Sequence, residues 1–241
     1  MFRAELLKIR SLPTPRYALT GTALILLLSC VVLLIVSPDR GDSSWHGVPL
    51  AVVGALNLLV PIVLGAWVIG LEFSSKTIRL AATVQPDRAR LLARKLAAAV
   101  LLISAFATVT LALMFVGEAV MAGVGGSTPD YGNDLRTAAS LFVNAVLWGL
   151  FAFGLVLVFR SYTGALVGAL AMRFVLDTPI ALRLIPTVGD YTFGSGADSL
   201  MSLISGDPAD LTVAVSIITA AAWLAAINGL GAARFVIQDL K

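Results

Sequence analysis

Apolar residues gather along this chain in six blocks, at about 17–36, 48–71, 96–124, 137–159, 162–176 and 211–233, parted by shorter polar stretches. A helix needs about 20 residues to cross the hydrocarbon of a bilayer. The pattern therefore predicts an all-α integral membrane protein, with six transmembrane helices in a single transmembrane domain over 1–241. The fifth block is short and contains Arg173, so either it ends early or the arginine is satisfied by protein or by the interface. Pro61 lies inside the second block, where it removes a backbone donor and is expected to kink the helix.

Three of the intervening stretches carry their own pattern. In 1–16, Phe2, Leu6 and Ile9 share a helical face and Pro13 and Pro15 end the pattern, which predicts a short interfacial helix ahead of the first span. Residues 72–95 hold six basic residues and are too long for a simple turn between helices. Residues 177–210 contain Pro179, Pro186 and Pro208 among short apolar runs. Those runs read as helices lying in or re-entering the outer interface, with Gly189, Gly194 and Gly196 as breaks.

Composition agrees with a bilayer environment: 59% of the 241 residues are hydrophobic and 13% charged, against roughly 25% charged in a soluble domain. The formal charge of +3 is explained by the Lys/Arg bias of cytoplasmic loops and not by nucleic acid. With 1–16 inside, thirteen of the 17 basic residues fall on the inner side, and Arg40, Arg136 and Arg183 on the outer, Arg173 being set apart as intramembrane. That asymmetry places the amino terminus in the cytoplasm, and six spans return the carboxyl terminus there, as expected in a cytoplasmic (inner) membrane. The first block is longer than the 7–15 residues of a signal h-region and lacks a cleavage signature, so it is read as a retained span. Cys30 is the only cysteine and permits no intrachain disulfide.

Catalytic chemistry is thinly represented. Gly70-Leu71-Glu72-Phe73-Ser74-Ser75-Lys76-Thr77 ends like a phosphate-binding loop, but Ser75 stands where a second glycine lets backbone amides wrap the phosphates, and the run follows an apolar block instead of a strand. His46 is the only histidine, too little for a His-rich metal site or a Ser-His pair. Glu118 is the one carboxylate well inside an apolar block, and reads either as a substrate or coupling group or as part of a wet outer mouth. Arg173 and Asp177, four residues apart, share a helix face and can form an ion pair that lowers the cost of the arginine or closes the outer end of a pathway. Asn57, Asn144 and Asn228 are the amides that a dimer interface could offer a substrate.

The stretch between the second and third blocks carries the most specific signal. Glu72, Thr77-Ile78-Arg79, Pro86-Asp87-Arg88 and Lys95 resemble the Glu, Gly-Thr, Pro-x-Arg and Lys pattern of permeases in the type 2 ABC exporter family, with Lys76 in place of the glycine before Thr77. Glu5-Leu6-Leu7-Lys8-Ile9-Arg10 is similar to that family's amino-terminal interfacial helix. The resemblance implies six spans, a cytoplasmic coupling helix between spans 2 and 3, and short outer helices between spans 5 and 6. It further implies a permease paired with a second copy or paralogue and with separate ABC ATPase subunits that hold ATP and Mg, this chain having no cofactor and no catalysis of its own. Glu72, Thr77, Arg79, Pro86, Asp87, Arg88, Arg90 and Lys95 are then expected at the ATPase contact. The cargo would be a hydrophobic or amphipathic drug, peptide or lipid-like molecule. Two other functions stay open at this point: a gradient-driven secondary transporter, which would need a titratable relay in the membrane, and a non-transporting immunity or scaffold protein. The basic residues of 72–95 could also simply contact anionic lipid.

Overall fold

The computed structural model describes residues 13–36, 48–78, 80, 83, 87–125, 131–176, 191–209 and 211–237. The interfacial segment 1–12, the connection holding His46, and the candidates Arg79, Pro86 and Asp177 lie outside the described residues. The described chain is helical, with no strand in it. In order it comprises α1 (Pro13–Val36), α2 (Val48–Ser74), α3 (Arg88–Gly125), α4 (Tyr131–Phe159), α5 (Tyr162–Ala171) running directly into a π-turn (Met172–Leu176), α6 (Phe193–Ser205) and α7 (Val213–Ile237).

In hydrocarbon a backbone must satisfy its N–H and C=O groups within the segment, and the apolar blocks do so as helices. Among the described residues, four helices are long and apolar enough to cross a membrane, over Leu56–Ser74, Arg88–Val120, Gly132–Phe159 and Val213–Ile237. That architecture fits a membrane-embedded protein. α1 covers the first block and begins at Pro13, so Pro13 and Pro15 open the helix instead of preceding it. A missing N–H is harmless there, because the first-turn N–H groups have no intrahelical acceptor.

α4 is the hub, packed by α2, α3, α5, α6 and α7. It meets α2 most closely at a pair of glycines: a Cβ on Gly65 would fall on the carbonyl oxygen of Gly149. Helices in lipid gain little from burying apolar surface, so backbone approach through small residues supplies the packing. Around this crossing Ile62, Leu64, Trp67, Ile103, Phe106, Trp148 and Phe153 are almost fully buried.

α3 runs from Arg88, eight residues before the expected start of the third span, because Asp87 caps it. The Asp87 Oδ1 accepts the Arg90 N–H at 3.0 Å and its carboxylate pairs with the Arg90 guanidinium at 2.9 Å, where negative charge opposes the positive end of the helix dipole. Residues 88–95 are thus the opening turns of α3, and Glu72 belongs to the end of α2. What connects α2 and α3 is 75–87, within which Ile78, Leu80 and Thr83 have helical backbone.

The fifth block departs furthest from expectation. α5 starts beside Gly70 of α2, passes Phe159 and Leu155 at Gly168, and brings Arg173 over the ring of Trp148. Trp148 is the midpoint of the apolar run 137–159. From Tyr162 to Arg173 the chain climbs only roughly 16 Å at 1.5 Å per residue, about half of a 30 Å hydrocarbon layer.

The other half beside α4 is occupied by α6. Phe193 at its start stacks on Phe151 at 4.3 Å and meets Trp148 edge-on at 4.9 Å. Met201 packs into the cluster of Leu111, Met114 and Leu141, and Gly206, past its last turn, lies next to Arg136. α6 therefore runs from the midpoint of α4 back toward its start, antiparallel to it. Gly194 and Gly196 lie inside α6 and do not break it. Gly196 instead lets α7 approach, since a Cβ there would sit 3.2 Å from the backbone nitrogen of Ala220. Gly206 closes the helix at φ 89°, a left-handed cap open to glycine without steric cost.

Candidate functional site

At the end where α2 finishes and α3 begins, two of the expected contact residues find each other. Lys95 Nζ lies 2.7 Å from both Glu72 Oε1 and Oε2. Lys95 is 0% exposed and Glu72 9%. The pair joins helices across 23 residues of sequence. Buried in this way, they hold α2 to α3. Glu72 could not have been matched to Lys95 from local spacing, because the pair forms only once the connection turns back on itself.

The turn itself is tight. Ser75 N donates to Leu71 O at 2.9 Å and Lys76 N to Phe73 O at 3.2 Å, and Lys76 then adopts φ 58°, in the left-handed region. The hydroxyls of Ser75 and Thr77 lie 2.9 Å apart. Lys76, Thr77 and Arg90 are exposed, and they remain available to a partner.

The same end gathers arginines on helix carbonyls. Arg88 Nη1 donates to Val236 O of α7 at 3.3 Å. Arg160 Nη2 donates to Arg234 O, and Arg234 Nη1 to Val158 O of α4, both at 3.1 Å. Carbonyls in a last turn lack intrahelical donors and carry the negative end of the dipole, so α4 and α7 cap each other reciprocally. Phe73 of α2 meets Phe235 of α7 edge-on at 6.2 Å. Arg88 is thereby partly committed to the fold instead of to a partner.

Halfway along α4 a second constellation appears. Arg173, in the π-turn, donates from Nη1 to Asp198 Oδ2 of α6 and lies 5.6 Å from the centroid of Trp148. π-Turns are rare and collect at functional sites, since the extra residue displaces side chains from regular helical positions. Arg173 was expected to pair with Asp177, four residues on. The described partner is Asp198, 25 residues on, because α6 folds back to the level where α5 ends. Asp198, Trp148, Phe151 and Phe193 were missed by sequence reasoning. The available signal was modest: Trp148 and Phe151 lie three apart on one helix face, and Thr192 caps a helix start by accepting the Ser195 N–H at 3.1 Å.

The three asparagines differ in burial: Asn57 and Asn144 are buried and Asn228 is half-buried. Asn57 on α2 is 0% exposed, with its Oδ1 accepting from Thr110 Oγ1 of α3 at 3.2 Å. Asn144 on α4 is buried within the same bundle. Asn228 Nδ2 donates to Leu224 O at 3.0 Å and to Leu150 O of α4 at 3.4 Å. Within the chain, Asn57 and Asn144 are thus buried among the helices, and Asn228 joins α7 to α4. Glu118 is half-buried toward the far end of α3, and no contact among the described residues joins it to Arg173.

No protein-family model matches the chain, and no curated protein matches it.

Proposed function

We propose that this chain is the membrane-spanning permease subunit of an ATP-driven exporter, coupled to separate ATPase subunits that bind ATP and Mg and paired with a second copy or a paralogue. Its cargo is hydrophobic or amphipathic, and it moves by alternating exposure between two halves. The proposal includes six crossings, with α1 first and the α5, π-turn and α6 unit in the fifth position, and both termini on the cytoplasmic side of the inner membrane.

The observation that carries this reading is the clamp between α2 and α3. A partner pressing on 75–87 meets exposed Lys76 and Thr77, while the buried Glu72–Lys95 pair forbids one helix from yielding without the other. Force on a short connection thus becomes a tilt of two long helices that pack on α4. Lys76 adds support, because the residue standing where the resembled family has glycine occupies a backbone region that glycine enters freely.

The test is charge reversal on the exposed surface only. Arg90, 77% exposed at its side chain, pairs with Asp87 in its own turn. Arg90→Glu with Lys76→Glu is expected to leave membrane insertion and thermal stability unchanged while lowering retention of the ATPase subunit on the purified chain about tenfold or more, as like charges at a contact cost several kcal/mol. Wild-type retention in the double variant would remove 75–90 from the coupling surface.

One observation favours a second reading. α5 and α6 end or begin halfway along α4, and half-helices meeting at midplane beside a charged pair also occur in gradient-driven transporters. That reading requires transport to collapse with the proton or sodium gradient while ATP is present.

A further inference from the structure

We propose that Arg173 is the anchor of a binding site for amphiphiles bearing an oxyanion headgroup, carboxylate or phosphate, entered sideways from the lipid. This goes beyond the ATP-driven reading and does not depend on it, since the site lies within one chain.

The guanidinium is the starting point. Arginine presents five N–H groups in a planar fork matched to two-oxygen anions. Here only Nη1 is used, on Asp198 Oδ2, and the remaining N–H groups meet no acceptor among the described residues. Asp198 likewise leaves Oδ1 buried and without a hydrogen bond, so the pair is single-pronged on both sides. Single-pronged pairing at the middle of an apolar run is a poor structural solution, because each uncompensated N–H in hydrocarbon carries a desolvation cost. An oxyanion on the open edge of the fork supplies the missing acceptors.

Access is lateral. The Arg173 side chain is 20% exposed, and its neighbours Phe174 and Val175, with Val167 of the preceding turns, are more than half exposed. A ligand with an acyl chain covers those residues while its headgroup reaches Arg173, whereas a small hydrophilic anion would have to cross hydrocarbon alone. Trp148 and Phe193 form a wall on the protein side: Trp148 holds the guanidinium over its face and keeps the fork oriented. Asp198 is the internal competitor. It shares the cation with the incoming anion and repels it, so its charge sets the affinity.

The test uses the full chain in nanodiscs of phosphatidylcholine, with 5-doxylstearic acid as probe, its nitroxide close to the carboxylate, and the methyl ester as control. Binding is read as motional restriction of the label and as quenching of tryptophan fluorescence. The acid should bind and the ester should not. Arg173→Gln should weaken the acid about tenfold or more, the loss of a charge-assisted hydrogen-bonding fork. Asp198→Asn should strengthen it about threefold or more by removing the like charge. Arg173→Gln with Asp198→Asn leaves no unpaired charge and guards against misfolding of the single variant; it should bind no better than Arg173→Gln. Adding phosphatidylglycerol to the disc distinguishes the sources: displacement of the probe makes a membrane lipid the occupant, and continued binding makes it a free amphiphile. Equal binding of acid and ester, or undiminished binding by a folded Arg173→Gln or double variant, would overturn the site.

Discussion

Lys95→Met is expected to be the most damaging single change in this chain, lowering stability by about 3–5 kcal/mol, because it leaves the Glu72 carboxylate buried without its cation. Glu72→Gln should fall in the same range, since a fully buried ammonium is as hard to leave alone as a carboxylate. Glu72→Leu combined with Lys95→Met should recover most of the loss, to within about 1–2 kcal/mol of wild type, as an apolar pair of similar volume needs no desolvation. Reversible unfolding in mixed micelles, followed by near-ultraviolet circular dichroism, gives the cycle. Additive losses in the double variant would mean that the two charges do not compensate one another. Transport adds a second readout. A double variant that is stable but uncoupled would place the pair in the transmission of force, whereas one that is stable and active would confine it to holding the fold.

The second large effect is expected at the crossing of α2 and α4. Gly65→Ala places a methyl group on the Gly149 carbonyl, a backbone atom that no rotamer change can move. The helices must separate, and the loss should be about 2–3 kcal/mol, at the upper end for overpacking in a close-packed interior. Gly21 and Gly123 provide the control, since a Cβ on either meets nothing within 4 Å. There the same substitution should be neutral or stabilising by up to about 1 kcal/mol, from the better helix propensity of alanine. A Gly65→Ala protein as stable as the Gly123→Ala protein would contradict the packing described for α2 on α4.

The contrast between what could and could not be read ahead of the structure follows from range. Apolar blocks specify helices locally, and α2, α4 and α7 lie on those blocks: α2 runs on through Glu72–Ser74, α4 begins six residues earlier at Tyr131, and α7 runs from Val213 to Ile237. Aspartate favours the position just before a helix, and α3 starts at Arg88, directly after Asp87. What local signals left undetermined was length: α3 begins eight residues ahead of its apolar block. Arg173 was flagged because a charge in an apolar block demands a partner. The nearest acid along the chain was Asp177, and only the return of α6 to mid-height of α4 brings Asp198 into reach. Lys95 misled for a related reason: lysine in a basic stretch reads as surface, yet Glu72 supplies the one environment in which it can be buried. The asparagines were legible as polar groups in apolar helices. Whether they face a neighbour in the same chain or a second copy depends on helix rotation, which a nearly uniform apolar block does not encode.

The central claim, that this chain is moved by ATP hydrolysed on a partner, is tested most directly by solubilising it from its native membrane in a mild detergent and measuring Mg-dependent ATP hydrolysis in the fractions that contain it. The account predicts that hydrolysis co-elutes with the wild-type chain and is lost from those fractions when Arg90→Glu and Lys76→Glu are introduced. A chain that elutes intact and folded with no ATP hydrolysis, from membranes whose transport stops on adding a protonophore, would contradict it.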